Sequence, residues 1–231
     1  MATSTRYALY YMPAAATPLW QFGCRVLGYD AAAPAIAPPP PFETLTALAP
    51  PAAFAEPATY GFHATLKAPF ELAESASEAA LLDAANGFAA RQRCFGIGRL
   101  QVARLHHFIA LVPTGRTDAL HAFADSCVRD FDGFRAPLSA ADRARRLATP
   151  RSPAEIAHLD RWGYPYVFES FQFHMTLSGL LRPDSIGPMH QALAALYAPI
   201  DAELMIDGFA VFKQVARSER FQVLQRFSFA P

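Results

Sequence analysis

The sequence predicts an α+β fold with mainly antiparallel sheets, on three observations. One stretch occurs twice in similar form, as TYGFHATLKAPF (Thr59–Phe70) and FQFHMTLSGLL (Phe171–Leu181). Each copy reads as a strand and is followed by a helical pattern and then by β-rich runs, so the order of elements is duplicated. The chain has 231 residues and is 52% hydrophobic, enough to bury a sizeable core. We therefore expect one bilobal domain over 1–231, with halves of about 1–115 and 116–231.

The first half begins with a strand and a capped helix. RYALYYMP (Arg6–Pro13) is short and rich in β-forming residues, which predicts a strand. The next helix is expected to begin after Thr17, with Pro18 in the first helical position, and to end at Gly28. Residues 31–57 are rich in alanine and proline and are interpreted as a surface loop, either a flap over a site or a plain connector.

A helix and paired strands follow the first copy of the repeated stretch. Ser75 and Glu78 form a capping-box pair ahead of an apolar stripe with helical spacing. RLQVARLHHFIALVP (Arg99–Pro113) predicts one or two strands. From Arg116 onward, RTDALHAFADSCVRDFD predicts an amphipathic helix.

An arginine-rich segment, 134–162, precedes the second copy of the repeated stretch. Ser139 and Ser152 are suited to cap the N-termini of two helices. Arg143 and Arg146 lie one helical turn apart and can act together. The arginines fit a lid that grips phosphate groups and fit equally a pair of solvated helices. A helix and two further β-rich runs complete the second half and repeat the order of the first.

The chemistry is carried by the His-x-Thr sequence inside each copy. Alternate side chains of a strand share a face, so each copy has one apolar and one polar face. The polar faces comprise His63, Thr65 and Lys67 in the first copy and His174, Thr176 and Ser178 in the second. Imidazole titrates near neutral pH, so one ring can accept a proton while the other donates one. Hydroxyl groups can donate hydrogen bonds to phosphoryl oxygens. A single His-x-Thr has little weight, but two in matching contexts predict one shared phosphoryl-transfer site.

The two motifs, FHATLK and FHMTLS, resemble the signature of the two-histidine (2H) phosphoesterase superfamily. The flanking stretches RYALYYMP, FRAPL and RWGYPYVF resemble the branch encoded in phosphonate-utilisation operons, and the resemblance covers nearly the whole chain. It implies a bilobal, pseudo-twofold fold in which two mainly antiparallel sheets flank a central cleft and the helices lie outside. It also implies metal-independent hydrolysis of a cyclic phosphodiester without a cofactor. His63 and His174 would then be the acid–base pair, and Thr65 and Thr176 would hold the phosphate oxygens.

Five more residues are candidates for substrate binding: Lys67, Ser178, Tyr166, Arg143 and Arg146. Lys67 and Ser178 occupy the same position in the two copies, so the site is electrostatically asymmetric and suits a directional substrate. Tyr166 can stack on a base or a sugar, or it can pack its own loop onto the core. The expected substrate is a small phosphorylated molecule, either a cyclic nucleotide or a ribose cyclic phosphate, with a short RNA end as a further option.

Two hypotheses of function remain open at this point. The first is a 2H-type cyclic phosphodiesterase, linked to phosphonate metabolism. The second is an accessory protein that binds a phosphate ligand in the same cleft without turnover. A metal-dependent hydrolase is a weaker third, because the adjacent His106 and His107 would point to opposite faces of a strand and could not share one ion.

Composition limits the partners and the compartment. Lys plus Arg equals Asp plus Glu, at 20 each, which argues against bulk binding to a nucleic-acid backbone. Cys24, Cys94 and Cys127 are odd in number and form no CxxC pair, as expected for reduced thiols in the cytoplasm. No apolar stretch reaches the ~18 residues of a membrane span, so no membrane association is expected.

Overall fold

The computed structural model describes residues 5–37, 40–115, 117–149 and 151–230. The strands are β1 (Arg6–Tyr11), β2 (Ala64–Phe70), β3 (Phe95–Leu105), β4 (Phe108–Pro113), β5 (Met175–Thr176), β6 (Glu203–Ile206), β7 (Gly208–Gln214) and β8 (Gln222–Ser228). The helices are α1 (Pro18–Leu27), α2 (Glu43–Thr46), α3 (Ala52–Tyr60), α4 (Glu78–Ala89), α5 (Asp118–Asp130), α6 (Ala140–Leu147), α7 (Pro153–Trp162) and α8 (Pro183–Tyr197). No helix in these ranges combines the length and the apolarity that crossing a bilayer requires.

Within these ranges the strands form two antiparallel four-stranded sheets, which confirms the predicted α+β class. One sheet has the order β2-β1-β7-β8 and the other has the order β5-β4-β3-β6. The two motif strands, β2 and β5, occupy equivalent places, since each is the edge strand of its sheet. Each sheet takes two strands from before residue 115 and two from after it. The bilobal division near that residue stays a prediction, and it does not coincide with the boundary between the sheets.

A continuous apolar core joins the two sheets to the helices. Helices α4 and α5 pack against the first sheet, whereas α8 packs against β3 and β4 of the second. Phe209 of β7 is fully buried and contacts the rings of Phe88, Phe123 and Phe131 edge-on. Burial of one such side chain contributes ~1.5–3 kcal/mol. The helices therefore cover one face of each sheet, and the motif residues on the other face are left for a site.

The helix ends follow the predicted capping chemistry at α1 and α7. Thr17 Oγ1 accepts a hydrogen bond from Trp20 N at 3.3 Å, and α1 ends at Gly28, which has φ 64°. Ser152 and Glu155 form a reciprocal capping box at the start of α7. At α4 the prediction was two residues off, because Ser77 rather than Ser75 accepts from the helix, at Ala80 N.

Three segments differ from the sequence-based expectation. The stretch 31–57, expected to be a loop, contains α2 and the start of α3, because tertiary packing buries Leu45, Phe54 and Ala58. The second motif forms a strand of only two residues, β5, which pairs with β4 at Thr176 and Met175. The helix predicted from Arg116 begins at Asp118 in the structure, and Arg116 itself lies outside the described residues.

Candidate active site

The two motif histidines lie in equivalent backbone positions. His63 immediately precedes β2, and His174 immediately precedes β5. The chain reaches His63 through Gly61, whose φ of 75° disfavours any side chain and whose added Cβ would lie 2.8 Å from Ala31 Cβ. This tight turn between α3 and β2 places the first imidazole at the end of its sheet.

Both imidazoles make the same hydrogen bond to the backbone. His63 Nδ1 lies 2.9 Å from the carbonyl oxygen of Gly61, and His174 Nδ1 lies 2.8 Å from that of Gln172. A carbonyl oxygen can only accept, so Nδ1 carries the proton in each contact. Each ring is thereby held in one tautomer, and Nε2 is left as the nitrogen available for proton transfer.

The four motif side chains line two adjoining cavities, which we call the cleft. The larger cavity has a volume of about 620 Å³ and is lined by His63 and Thr176. The smaller cavity has a volume of about 330 Å³ and is lined by His174 and Thr65. Each cavity thus combines the histidine of one motif with the threonine of the other. His106, Phe108 and Tyr166 line both cavities. The residues of both motifs therefore border one continuous region of the surface.

Burial controls the protonation of both rings. Burial lowers the pKa of His63 to about 4, against the effect of the hydrogen bond that the ring donates to the Gly61 carbonyl, and the nearby His174 lowers it further. Burial also lowers the pKa of His174. Both imidazoles are therefore neutral near pH 7 in the empty cleft, and the electrostatic effect of His174 on His63 reflects their proximity.

His63 is held by two further neighbours. Thr65 Oγ1 lies 3.2 Å from His63 Nε2, where it can donate to the neutral ring, or accept from the protonated ring and keep its own proton for a phosphate oxygen. Tyr10 of β1 stacks on the imidazole with ring centroids 3.7 Å apart and 24° between the planes. The sequence analysis did not identify Tyr10 as a site residue. The sequence indicated only that it belongs to a β-strand rich in aromatic residues.

Lys67 does not lie in the cleft, which corrects the sequence-based expectation. Thr65 pairs with Tyr10, whereas Lys67 pairs with Leu9, so one step along β1 matches two along β2. This β-bulge turns Lys67 onto the face opposite Thr65. There its Nζ lies 3.2 Å from Asp132 and donates to the carbonyl of Val128 at 3.1 Å. Burial lowers the pKa of Lys67 to about 8, against the opposing effect of Asp132.

Ser178 is displaced from its expected role by a matching irregularity. The amides of Leu177 and Ser178 both donate to the carbonyl of Ile109, at 2.9 and 3.2 Å. The Ser178 hydroxyl is fully buried, donates to the carbonyl of Gly179 and accepts from the amide of Ile109. Ser178 therefore borders the larger cavity, but its donor is already used and cannot serve a phosphate oxygen.

The other three candidates for substrate binding lie in different environments. Tyr166 is 42% exposed and borders both cavities, and its hydroxyl accepts a hydrogen bond from Arg151 Nη1. Arg143 is exposed and forms a two-point ion pair with Asp160 at 2.6 and 2.9 Å, so it joins α6 to α7 rather than facing the cleft. Arg146 points inward, with its guanidinium carbon 5.4 Å from the ring centre of Tyr164.

His106 and His107 form the two-residue turn between β3 and β4 instead of lying in a strand. His106 has φ 55°, an uncommon conformation outside glycine, and it borders both cavities. His107 borders the larger one. Within the described ranges, no group of three or more His, Cys, Asp or Glu side chains is placed to hold a metal ion.

Known proteins resemble this chain in sequence. The family model DUF1045, described as a protein of unknown function, matches residues 65–222. The ribose 1,5-bisphosphate phosphokinase PhnN of Janthinobacterium sp. (strain Marseille) is 36% identical over 236 residues, covering 98% of this chain and 51% of the relative. The protein of the same name from Laribacter hongkongensis (strain HLHK9) is 34% identical over 218 residues, covering 94% of this chain and 50% of the relative.

The chain thus spans about half the length of the curated relatives it matches. Among solved structures, a crystal structure of a phosphoesterase aligns with 98% of this chain and 99% of its own. The identity is 15% and the TM-score is 0.43, so the alignment supports no statement about activity.

Proposed function

This chain belongs to the DUF1045 family, and we propose that it is a metal-independent phosphoesterase of the two-histidine type. The observation that carries the proposal is the equivalence of the two His-x-Thr motifs. In each motif the histidine lies directly before an edge strand and its Nδ1 donates to a backbone carbonyl. Both motifs border the same cleft. One neutral and one protonated imidazole beside two hydroxyl groups suit acid–base catalysis at a phosphoryl centre.

The proposed reaction adds water across a cyclic phosphodiester. Nε2 of one histidine accepts a proton from water as the water oxygen bonds to phosphorus. The bond from phosphorus to the leaving ring oxygen breaks, and that oxygen takes the proton from Nε2–H of the other histidine. The hydroxyl groups of Thr65 and Thr176 donate hydrogen bonds to the non-bridging oxygens. The rings then hold their protons in exchanged places, and transfer through solvent restores the starting state.

We propose a ribose cyclic phosphate as the substrate, in preference to a nucleotide. The curated relatives are named for ribose 1,5-bisphosphate, and roughly half of each relative lies outside the part that matches this chain. This sequence lacks the G-x-x-x-x-G-K-[ST] loop with which many kinases hold nucleotide phosphates. Hydrolysis of a 1,2-cyclic phosphodiester at the 2-oxygen leaves a ribose 1-phosphate, which relates this chain's reaction to the compound in that name. The proposed link to phosphonate breakdown rests on the resemblance of the flanking stretches.

The test is turnover of ribose 1,2-cyclic phosphate and of 2′,3′-cyclic nucleotides, with a chelator present throughout. We expect hydrolysis by the wild type and a loss of ~10²–10⁴-fold in kcat for His63→Ala and for His174→Ala. The double variant should be little worse than either single one, because the two rings act as a unit.

His158→Ala is the matched control, because His158 pairs with Glu169 at 2.7 Å and borders neither cavity. Full activity in either cleft variant would count against the mechanism. Binding of these compounds without turnover would favour the accessory protein, and loss of all wild-type activity in chelator would favour a metal-dependent hydrolase.

A further inference from the structure

A second polar cavity lies beside the cleft, on the side of α6. It has a volume of about 50 Å³, and its walls carry five guanidinium groups and two carboxylates. The arginines are Arg6, Arg135, Arg145, Arg146 and Arg217, and the acids are Glu71 and Asp142. We call it the arginine cavity. A water molecule needs about 10–15 Å³ by this measure, so there is room for a group of several heavy atoms.

Three of the five arginines form ion pairs with carboxylates within the protein. Arg217 lies 2.9 Å from Asp142 and 3.1 Å from Glu71, and Arg145 lies 2.6 Å from Asp142. Arg135 lies 2.9 Å from Asp132, and its two terminal nitrogens each donate to a backbone carbonyl. The interactions of the other two arginines of this cavity, Arg6 and Arg146, are different.

Arg6 and Arg146 contact neutral groups instead. Arg6 donates twice to the side-chain oxygen of the buried Gln214 and lies 5.3 Å from the ring centre of Phe221. Arg146 lies over Tyr164, and its Nε is buried without a hydrogen-bond partner. In the described part of the chain neither guanidinium forms an ion pair with a carboxylate. Burial lowers the pKa of both groups, and neighbouring arginines lower each further.

Arg146 and Tyr164 lie between the arginine cavity and the cleft. It borders the arginine cavity, and the Tyr164 ring beneath it borders the smaller cavity together with Thr65 and His174. Burial raises the pKa of Tyr10, which stacks on His63, and Arg6 and Arg146 are both close enough to oppose that rise. Aromatic rings thus lie between these two guanidinium groups and the proposed catalytic histidine.

We propose that Arg6 and Arg146 bind a second phosphate group of the substrate, a phosphomonoester on the end remote from the cyclic diester. This rests on the proposed function and narrows it to a cyclic phosphodiester with an additional terminal phosphate. A phosphomonoester carries a charge of about −1.5 to −2 at neutral pH, which matches two guanidinium groups without carboxylate partners. Guanidinium also presents planar paired donors, which suit phosphate better than a point charge does.

The test compares ribose 1,2-cyclic phosphate with and without a 5-phosphate. We expect the wild type to prefer the phosphorylated compound, measured as the ratio of the two kcat/KM values. Arg146→Gln and Arg6→Gln should each lower this ratio about 10- to 100-fold. Arg143→Gln is the matched control, since Arg143 lies on the same helix but pairs with Asp160 at the surface. An unchanged ratio in both cavity variants, or the same change in Arg143→Gln, overturns the proposal.

A binding measurement separates this proposal from the proposed function. Calorimetry with ribose 5-phosphate needs no turnover, and we expect affinity to fall in Arg146→Gln and not in Arg143→Gln. If the wild type hydrolyses neither cyclic compound but binds ribose 5-phosphate through Arg146, the catalytic proposal fails and the anion site stands. If the wild type hydrolyses both compounds yet the arginine variants bind ribose 5-phosphate normally, the anion site fails and the catalytic proposal stands. Arg6→Gln decides the matter should Arg146→Gln not fold, as judged by circular dichroism.

Discussion

At the residue scale, each motif imidazole is oriented by a hydrogen bond to a backbone carbonyl rather than to a carboxylate. The carbonyl of Gly61 and that of Gln172 hold Nδ1–H of His63 and His174. A neutral acceptor fixes the tautomer but stabilises the imidazolium less than a carboxylate would. Burial is then left to dominate, and it lowers the pKa of both rings. The geometry therefore favours neutral rings until an anion enters the cleft.

This protonation state gives a prediction for the pH dependence. Catalysis by the proposed mechanism needs one neutral and one protonated ring, so kcat/KM against pH should be bell-shaped. Its maximum should lie below pH 6.5, because the pKa of His63 is lowered to about 4 and that of His174 is also lowered in the free protein. The two limbs belong to the pair rather than to either ring.

The profile of kcat should differ in a defined direction. A bound phosphodiester anion stabilises imidazolium and raises both pKa values, so the maximum of kcat should lie at higher pH than that of kcat/KM. Both profiles can be measured with one substrate between pH 4 and 9. A kcat/KM maximum above pH 6.5, or a kcat maximum displaced to lower pH, would contradict this reading of the site.

At the element scale, the same irregularity follows each threonine. A bulge after Thr65 turns Lys67 to the helical face, and the paired amides of Leu177 and Ser178 mark a matching irregularity after Thr176. Strict alternation predicted that both third positions would face the site. One extra residue in a strand turns every later side chain of that strand to the opposite face of the sheet. The residue types in this sequence do not predict where such a bulge occurs.

Helix α1 supports the first motif by close packing. An added Cβ at Gly23 would lie 2.1 Å from the ring of Phe62, the residue before His63. We expect Gly23→Ala to displace that ring and to destabilise the fold by ~1–3 kcal/mol, with a loss of turnover. Chemical denaturation and the hydrolysis assay measure the two effects.

Gly187→Ala is the control for this prediction. Gly187 lies within α8, and an added Cβ there would meet nothing within 4 Å. The substitution should leave stability unchanged or raise it by ~0.4–1 kcal/mol through the unfolded state. If Gly23→Ala is as stable as Gly187→Ala, the proposed packing of α1 against the motif is wrong.

At the scale of the whole molecule, the two halves of the chain are interlocked. Strand β1 pairs with β2 on one side and with β7 on the other, over the register Arg6–Gln214 to Tyr10–Ala210. Between β6 and β7 the chain passes from one sheet to the other at Asp207. Neither sheet can therefore be completed by residues from one half alone.

Interlocking predicts that the halves do not fold independently. Polypeptides of 1–115 and 116–231 should each lack a cooperative thermal transition, because each would expose unpaired strand edges and half of the common core. The full chain should unfold in one transition. Circular dichroism on the three samples tests this. Cooperative unfolding of either half alone would show that this half folds independently and would contradict the prediction.

The sequence by itself determined what local rules govern. The alternation of apolar and polar residues located both motifs and the α+β class, and capping residues located both ends of α1 and the start of α7. The repeated His-x-Thr also singled out His63, Thr65, His174 and Thr176, which the structure places around one cleft. These features depend on neighbours within a few residues, so they can be read along the chain.

Tertiary structure alone decided everything that depends on contacts between distant residues. It removed Lys67 from the cleft to Asp132, added Tyr10 against His63, and separated the inward Arg146 from the paired Arg143. The physical reason is that a side chain's charge, tautomer and accessibility are set by the groups around it. Those groups come from strands and helices that the chain order does not place together.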